Sequence, residues 1–491
     1  MKSLQSTLAA AGLAGSALVA VAAPRALSDP VVHWWYSPGL GVSRATAVWL
    51  VYAGMAIMCC AWLCLGRVLP SRRALLVITA LWALPLALAP PLFSRDIYSY
   101  LAQGTILHLG HNPYHTAPSA LAALHRPHVL AAVSPFWRGT TAPYGPLFLG
   151  LVAMIVGAVG SHLVAGVLLV RALELIGLLL VALCAPRLAR ALGSDERRAL
   201  WLVAASPLVM LQLVAAGHND LLMAGLLAVG LVCALNGWPL AAVAICALAA
   251  TIKLPAIAAA GFIAVAWFRA ERGAAARLRF AVAVAAIAVV VLGAVTLATG
   301  AGVAWVSSSL FSTPARVRLA ITPATGIGYT IAVVLKAIGV AVSSRSFEGV
   351  FVVVASVLAA TAGGVLLWRV RVTTVAKSLG TFLVVAAACG PAAWPWYFVW
   401  GLVALAALAP VQRSYPLAIA IAASSLVVKP NGILELPLGS APAVLAVYVA
   451  AAALAIRSWR RRSTALTAPV GAGASDGAVP GGSSAALART S

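Results

Sequence analysis

Long apolar runs separated by short polar interruptions dominate the chain. The runs cover residues 4–23, 45–66, 74–92, 146–160, 163–185, 200–215, 221–235, 240–252, 256–268, 280–299, 324–342, 350–368, 379–389, 397–410, 415–428 and 443–456. They are rich in Ala, Leu and Val and lack the period-two alternation of a half-buried strand, so they predict helices. A straight crossing of a bilayer takes about 20 apolar residues. The shorter runs must therefore extend into their flanks, tilt, or pack against neighbours. The pattern predicts an all-α integral membrane protein with about 13 or 14 transmembrane helices.

Composition sharpens this picture. Hydrophobic residues make up 63% of the 491 and charged residues only 9%, against about 25% charged in a soluble domain. No water-soluble fold could hide that much apolar surface, and the helical runs argue against a barrel. The net charge of +23 does not indicate nucleic acid, because the basic residues form short clusters between apolar runs. These are Arg67, Arg72 and Arg73; Arg187, Arg190, Arg197 and Arg198; Arg269, Arg272, Arg277 and Arg279; Arg369, Arg371 and Lys377; and a cluster at 457–462. Placing all five in the cytoplasm puts residues 93–143, 217–220, 253–255, 300–323, 390–396 and 429–442 outside. Parity then calls for a re-entrant or interfacial helix near 146–185 and again near 324–342.

Lys2 precedes the first apolar run, which is read as a membrane helix and not a cleaved signal because so many spans follow. Residues 1–462 read as one polytopic membrane domain. Residues 463–491, rich in Gly, Ala, Ser and Pro, read as a disordered cytoplasmic tail. Seven cysteines lie inside apolar runs and make neither a metal spacing nor a disulfide framework.

Only ten acidic residues exist, so each is informative. Asp195, Glu196 and Glu271 balance basic loops, and Asp476 belongs to the tail. Glu174 follows Arg171 by three residues, which puts both on one helix face and predicts an internal ion pair. Asp96 and Asp220 stand apart. Each follows an apolar run on the inferred outer side, inside a dense polar cluster. The first is Ser94-Arg95-Asp96-Ile97-Tyr98-Ser99-Tyr100, with Gln103 and later His111-Asn112-Pro113-Tyr114; the second is Gly217-His218-Asn219-Asp220. Either carboxylate could simply cap a helix, and Asp96 could pair with Arg95. Spacing alone leaves the structural and functional readings level.

The run from Phe93 to Gly104, followed by Asn112-Pro113-Tyr114, resembles the first outer loop of actinobacterial polyprenol-phosphomannose-dependent α-1,6-mannosyltransferases. Ser134-Pro135-Phe136-Trp137, Thr141-Ala142-Pro143-Tyr144-Gly145-Pro146, His218-Asn219-Asp220, Pro395-Trp396-Tyr397 and Lys429-Pro430-Asn431-Gly432 are similar to that family as well. The resemblance extends to about residue 460 and implies a GT-C glycosyltransferase fold whose long first outer loop, 93–143, is catalytic. It further implies a mannose donor carried on polyprenyl phosphate and an α-1,6-mannan lipid acceptor, as in lipomannan and lipoarabinomannan synthesis. The active site would face outward from the plasma membrane.

On that reading Asp96 is the general base, Arg95 orients it or touches phosphate, and Lys253, Arg316, Arg318 and Lys429 are candidate phosphate ligands. Tyr98, Tyr100, Gln103, Asn112, Tyr114, Tyr144, His218, Asn219, Asp220, Trp394, Trp396 and Tyr397 are candidate substrate contacts. The aromatics among them suit sugar faces equally as an interfacial belt. No cofactor is expected, and no metal is indicated. The partners are the lipid-linked donor, the mannolipid acceptor and the surrounding lipids. The competing reading is a secondary transporter or a flippase of a lipid-linked sugar, but transporter sites favour broken helices in repeated halves at mid-membrane, and no internal repeat is visible.

Overall fold

A computed structural model of the chain describes residues 2–27, 34, 41–309 and 322–431, with the side chains of 411 and 412 excepted. Asp29, Arg316, Arg318, Gly432, Glu435, the apolar run at 443–456, the basic cluster at 457–462 and the tail at 463–491 lie outside the described residues.

Among the described residues there are helices and turns and no strand. The first helix, α1 (Lys2–Ala26), crosses α2 (Arg44–Val68) where Gly15 meets Gly54. A Cβ built on either glycine would lie 2.7 Å from the other's carbonyl oxygen. Lipid provides no hydrophobic force between helices, so close backbone approach at small residues is what holds them together. Helices α2 and α3 (Arg72–Leu88) start at Ser43 and Ser71, whose hydroxyls accept the N–H groups of Thr46 and Ala74. Such caps satisfy donors that the helix itself cannot.

The predicted loop at 93–143 is not an open excursion. It contains α4 (Asp96–His108) and the short α5 (Pro127–Ala132). Every side chain from Ile97 to Ile106 is buried, and α4 packs on α6 (Pro146–Val159) and α7 (Leu163–Ala191). An apolar run breaks where α6 gives way to α7 at Gly160. Beyond α7 come α8 (Glu196–Leu202), a single turn α9 (Pro207–Val209), a π-helical turn over Met210–Ala215, and α10 (Asp220–Leu235). The chain continues through α11 (Pro239–Ala250), α12 (Ile257–Ala270), α13 (Ala274–Thr299), α14 (Ala304–Ser307), α15 (Pro323–Ala337) and α16 (Ser344–Arg369). It then runs through α17 (Val375–Cys389), α18 (Val399–Ala406) and α19 (Val411–Leu426).

Seven of the described helices are long and apolar enough to cross a membrane, and five shorter apolar helices of 10–17 residues accompany them. The protein is a multi-pass, all-α membrane protein. Its peripheral helices α13 and α16 bury only 6% and 11% of their apolar windows. Surface of that kind is stable only where lipid is the solvent.

The basic clusters gather in pairs. Glu196 takes a bidentate grip from Arg190, at 2.6 and 2.9 Å, and lies 3.8 Å from Arg72. Arg269 donates to the carbonyls of Leu367 and Val370. Thus the first and second clusters meet, and so do the third and fourth. On α7, Arg190 lies about 28 Å from Arg171 at the helical rise of about 1.5 Å per residue. Arg171 belongs to the other end of the bundle, where the polar motifs collect.

Candidate active site

The site begins at a strained residue. Phe93 is buried and holds φ at 66°, a conformation that bulky residues avoid. Its N–H donates to the Pro430 carbonyl at 2.8 Å, and the Leu92 N–H donates to Ala215 O at 3.3 Å. The turn before α4 is thereby fastened to the π-helical turn and to the Lys429-Pro430-Asn431 segment. The Asp96 N–H donates to Ser94 Oγ at 3.0 Å, so Asp96 opens α4 with its carboxylate at the positive end of the helix. Arg95 donates to the Ala132 carbonyl at 2.6 Å. That bond ties the start of α4 to the end of α5.

The second element is the turn from Met210 to Asp220. Its π geometry inserts an extra residue into the helix, a device frequent at functional sites. Gly217 then takes φ at 74°, and a Cβ there would meet Ile97 Cδ1 at 2.6 Å. Only glycine suits this position on both counts. The chain therefore reverses tightly enough to turn His218 toward α4. His218 Nδ1 lies 2.5 Å from the Gln212 carbonyl, and Nε2 lies 3.6 Å from Asp96 Oδ2. The imidazole stacks on Trp396 at 4.0 Å, and Trp396 stacks on Trp394 at 4.7 Å. His218 is fully buried, while 16% of the Asp96 side chain is exposed. Asn219 is fully buried too, and neither of its amide atoms has a partner among the described residues.

Asp220 meets a different environment. It is fully buried, and Lys253 Nζ reaches both of its oxygens at 2.8 Å. Trp400 Nε1 donates to Oδ1 at 2.6 Å. The Lys253 ammonium also sits 4.7 Å from the Tyr397 ring centroid, a cation–π contact. Asp220 is not the cap of α10. That work falls to Glu174, whose Oε2 accepts the Leu222 N–H at 3.2 Å. Arg171 donates to the carbonyls of Ala87, Ala89 and Ala215, clamping the ends of α3 and the π turn. In place of the ion pair that spacing predicts, these contacts spend Arg171 and Glu174 on backbone groups that lipid would leave unsatisfied.

The remaining sequence candidates form the walls. Tyr100 packs edge-on against Tyr144 at 4.7 Å and Phe148 at 4.9 Å. Tyr114 donates its hydroxyl to the Tyr144 carbonyl at 2.8 Å. Asn112 accepts the Tyr114 N–H and donates to Ala301 O at 2.9 Å; it shapes the loop. Gly145 donates to the Ile252 carbonyl at 2.9 Å, which seats the Tyr144-Gly145 turn directly before Lys253. Tyr98 and Gln103 are buried on α4. Lys429 is half-buried, one residue before the carbonyl that holds Phe93.

The structure thus brings Asp96, His218, Trp394 and Trp396 together, and joins Asp220, Lys253, Tyr397 and Trp400 as a neighbouring group. Sequence reasoning passed over Trp400, the Gln212 carbonyl and the φ of Phe93. Trp400 had one available signal, its place four residues after Trp396 on a helical turn. Among the described residues, no three His, Cys, Asp or Glu side chains converge.

Two family models match the chain. One, the N-terminal domain of the α-(1→6)-mannopyranosyltransferase family, covers residues 5–269; the other, the MptB C-terminal domain, covers residues 324–461. The chain is 32% identical to α-(1→6)-mannopyranosyltransferase A of Mycobacterium tuberculosis, covering 86% of this chain and 84% of the relative. It is 34% identical to a probable α-(1→6)-mannopyranosyltransferase of Mycolicibacterium smegmatis, over 81% and 78%. With α-(1→6)-mannopyranosyltransferase B of Corynebacterium glutamicum it shares 27% identity, over 90% and 79%. No solved structure matches it. Residues of the site come from both matched regions, and the chain belongs to the α-(1→6)-mannopyranosyltransferase A/B family of membrane mannosyltransferases.

Proposed function

We propose that the protein moves mannose from polyprenyl-phosphate-mannose to the 6-hydroxyl of an α-1,6-mannan lipid on the outer face of the plasma membrane, with inversion at the anomeric carbon and Asp96 as general base. The observation that carries this reading is the placement of Asp96. It is the acidic side chain of the site left partly open, at a helix N-terminus, facing the His218 imidazole.

Inversion needs one displacement. The acceptor oxygen attacks C1, the bond from C1 to the phosphate oxygen breaks with its electrons going to phosphate, and Asp96 takes the hydroxyl proton. A positioned base contributes about 10²- to 10⁴-fold, and cations offset the charge that develops on the leaving phosphate. Lys253 and Lys429 are the cations assigned to that phosphate. Lys253 is held by Asp220 at 2.8 Å, which fixes its position while neutralising part of its charge. Retaining transfer commonly uses a second, nucleophilic carboxylate; Asp220 is enclosed by Lys253 and Trp400 and is a poor candidate for that.

The test is Asp96→Asn, assayed for transfer from a short-chain polyprenyl phosphomannose to an alkyl α-mannoside. Transfer should fall by about 10³-fold with the variant still folded in the membrane. Near-normal turnover would end the assignment, and sugar uptake without transfer would favour the transporter reading.

A further inference from the structure

The geometry points to His218 as the proton-sharing partner of Asp96: its Nδ1–H is fixed by the Gln212 carbonyl of the π turn, which presents a bare Nε2 to the Asp96 carboxylate. This inference rests on the reading of Asp96 as general base and goes beyond a substrate contact for His218.

Nδ1 lies 2.5 Å from a carbonyl oxygen, which accepts only; the proton of a neutral imidazole must therefore sit on Nδ1. Nε2 is then an acceptor, and it faces Asp96 Oδ2 at 3.6 Å with no other partner among the described residues. Two acceptors aimed at one another leave a place for one proton between them, which the proton taken from the acceptor hydroxyl fills. The neighbouring carboxylate, Asp220, is already held by Lys253 and Trp400. Asp96 is thus the group left for His218 to serve.

The step balances simply. As the acceptor oxygen bonds to C1, its proton passes to Asp96 Oδ2. The new carboxyl O–H then donates to Nε2, and the proton leaves to water through the exposed edge of Asp96 once the products depart. The Trp396 ring, stacked at 4.0 Å, holds the imidazole in plane and favours any positive charge that it gathers. In the extra-wide π turn the Gln212 carbonyl is available to an imidazole six residues on.

The experiment uses the full chain in lipid nanodiscs with short-chain polyprenyl phospho-[14C]mannose and an alkyl α-mannoside. Wild-type turnover and its loss in Asp96→Asn test the underlying reading; His218 variants test the sharing. In His218→Gln, kcat should fall about 10²-fold with KM changed less than about threefold. In His218→Ala, added imidazole should restore at least about tenfold of the lost rate, whereas Asp96→Asn should not respond. A kcat within about threefold of wild type, a loss confined to KM, or a folded His218→Ala deaf to imidazole would each overturn the proposal. Should both variants fail to fold, ¹⁵N-histidine spectra of the wild-type protein decide: a buried ring protonated at Nδ1 and bare at Nε2 supports it, and the opposite tautomer or a resting imidazolium refutes it.

Discussion

Asp96 and Asp220 flank His218, one in space and one in sequence, and the fold treats them in opposite ways. Asp96 keeps an exposed edge and faces a single imidazole. Asp220 is sealed, with an ammonium on both oxygens and an indole N–H on one. A carboxylate that must exchange a proton with substrate needs room and few competing donors. One that must hold a cation in place needs its lone pairs filled. On the proposed reading, partner count separates chemistry from scaffold where residue type cannot.

The sharpest break of this contrast is to neutralise each acid in turn. Asp96→Asn should remove transfer, by about 10³-fold, with little change in thermal midpoint. Asp220→Asn should act first on stability, because it strands a largely buried ammonium, a loss of about 3–5 kcal/mol. Thermal unfolding in detergent reads both, and an Asp220→Asn variant as stable as wild type would erase the distinction. Adding Lys253→Met to Asp220→Asn should recover part of the lost stability, since an apolar replacement of both partners is far milder than breaking the pair. Stability no better than that of the single variant would count against a simple ion pair. Trp400→Phe removes one hydrogen bond to a charged group and should cost about 1.5–3 kcal/mol, again read by thermal midpoint. Gly217→Ala forces a Cβ into a left-handed turn and against Ile97, costing about 1–2 kcal/mol. It should also lower transfer by displacing His218. Glu196→Gln at the basic end should do least. Its exposed arginine contacts are screened by salt, and both activity and midpoint should stay within scatter.

Much of the architecture was readable because lipid enforces it. Runs such as 45–66 and 280–299 became α2 and α13 with little displacement, and Lys253-Leu254-Pro255 broke a helix as expected. The neighbourhood of Asp96 was readable through its clustered polar residues. Other features were hidden because they depend on partners distant in sequence. The Asp220–Lys253 bridge spans 33 residues and the Trp400 bond to Asp220 spans 180, and no local period records either. The three-residue spacing of Arg171 and Glu174 suggested a pair, yet the needs of helix ends prevailed. A helix starting beside Asp96 was one reading of the sequence, but the loop at 93–143 read as polar overall, so the burial of α4 was not legible.

The hydrogen bond from Phe93 to Pro430 carries a consequence for how the protein comes into being. Residues 93 and 430 enter the membrane at widely separated moments of synthesis. Until the later segment arrives, the turn that aims Asp96 lacks its latch, and the indoles at 394–400 have not yet covered His218 and Asp220. A ribosome-bound chain therefore carries its acid long before it carries a working pocket. Both matched family regions must therefore be in place before the pocket is complete.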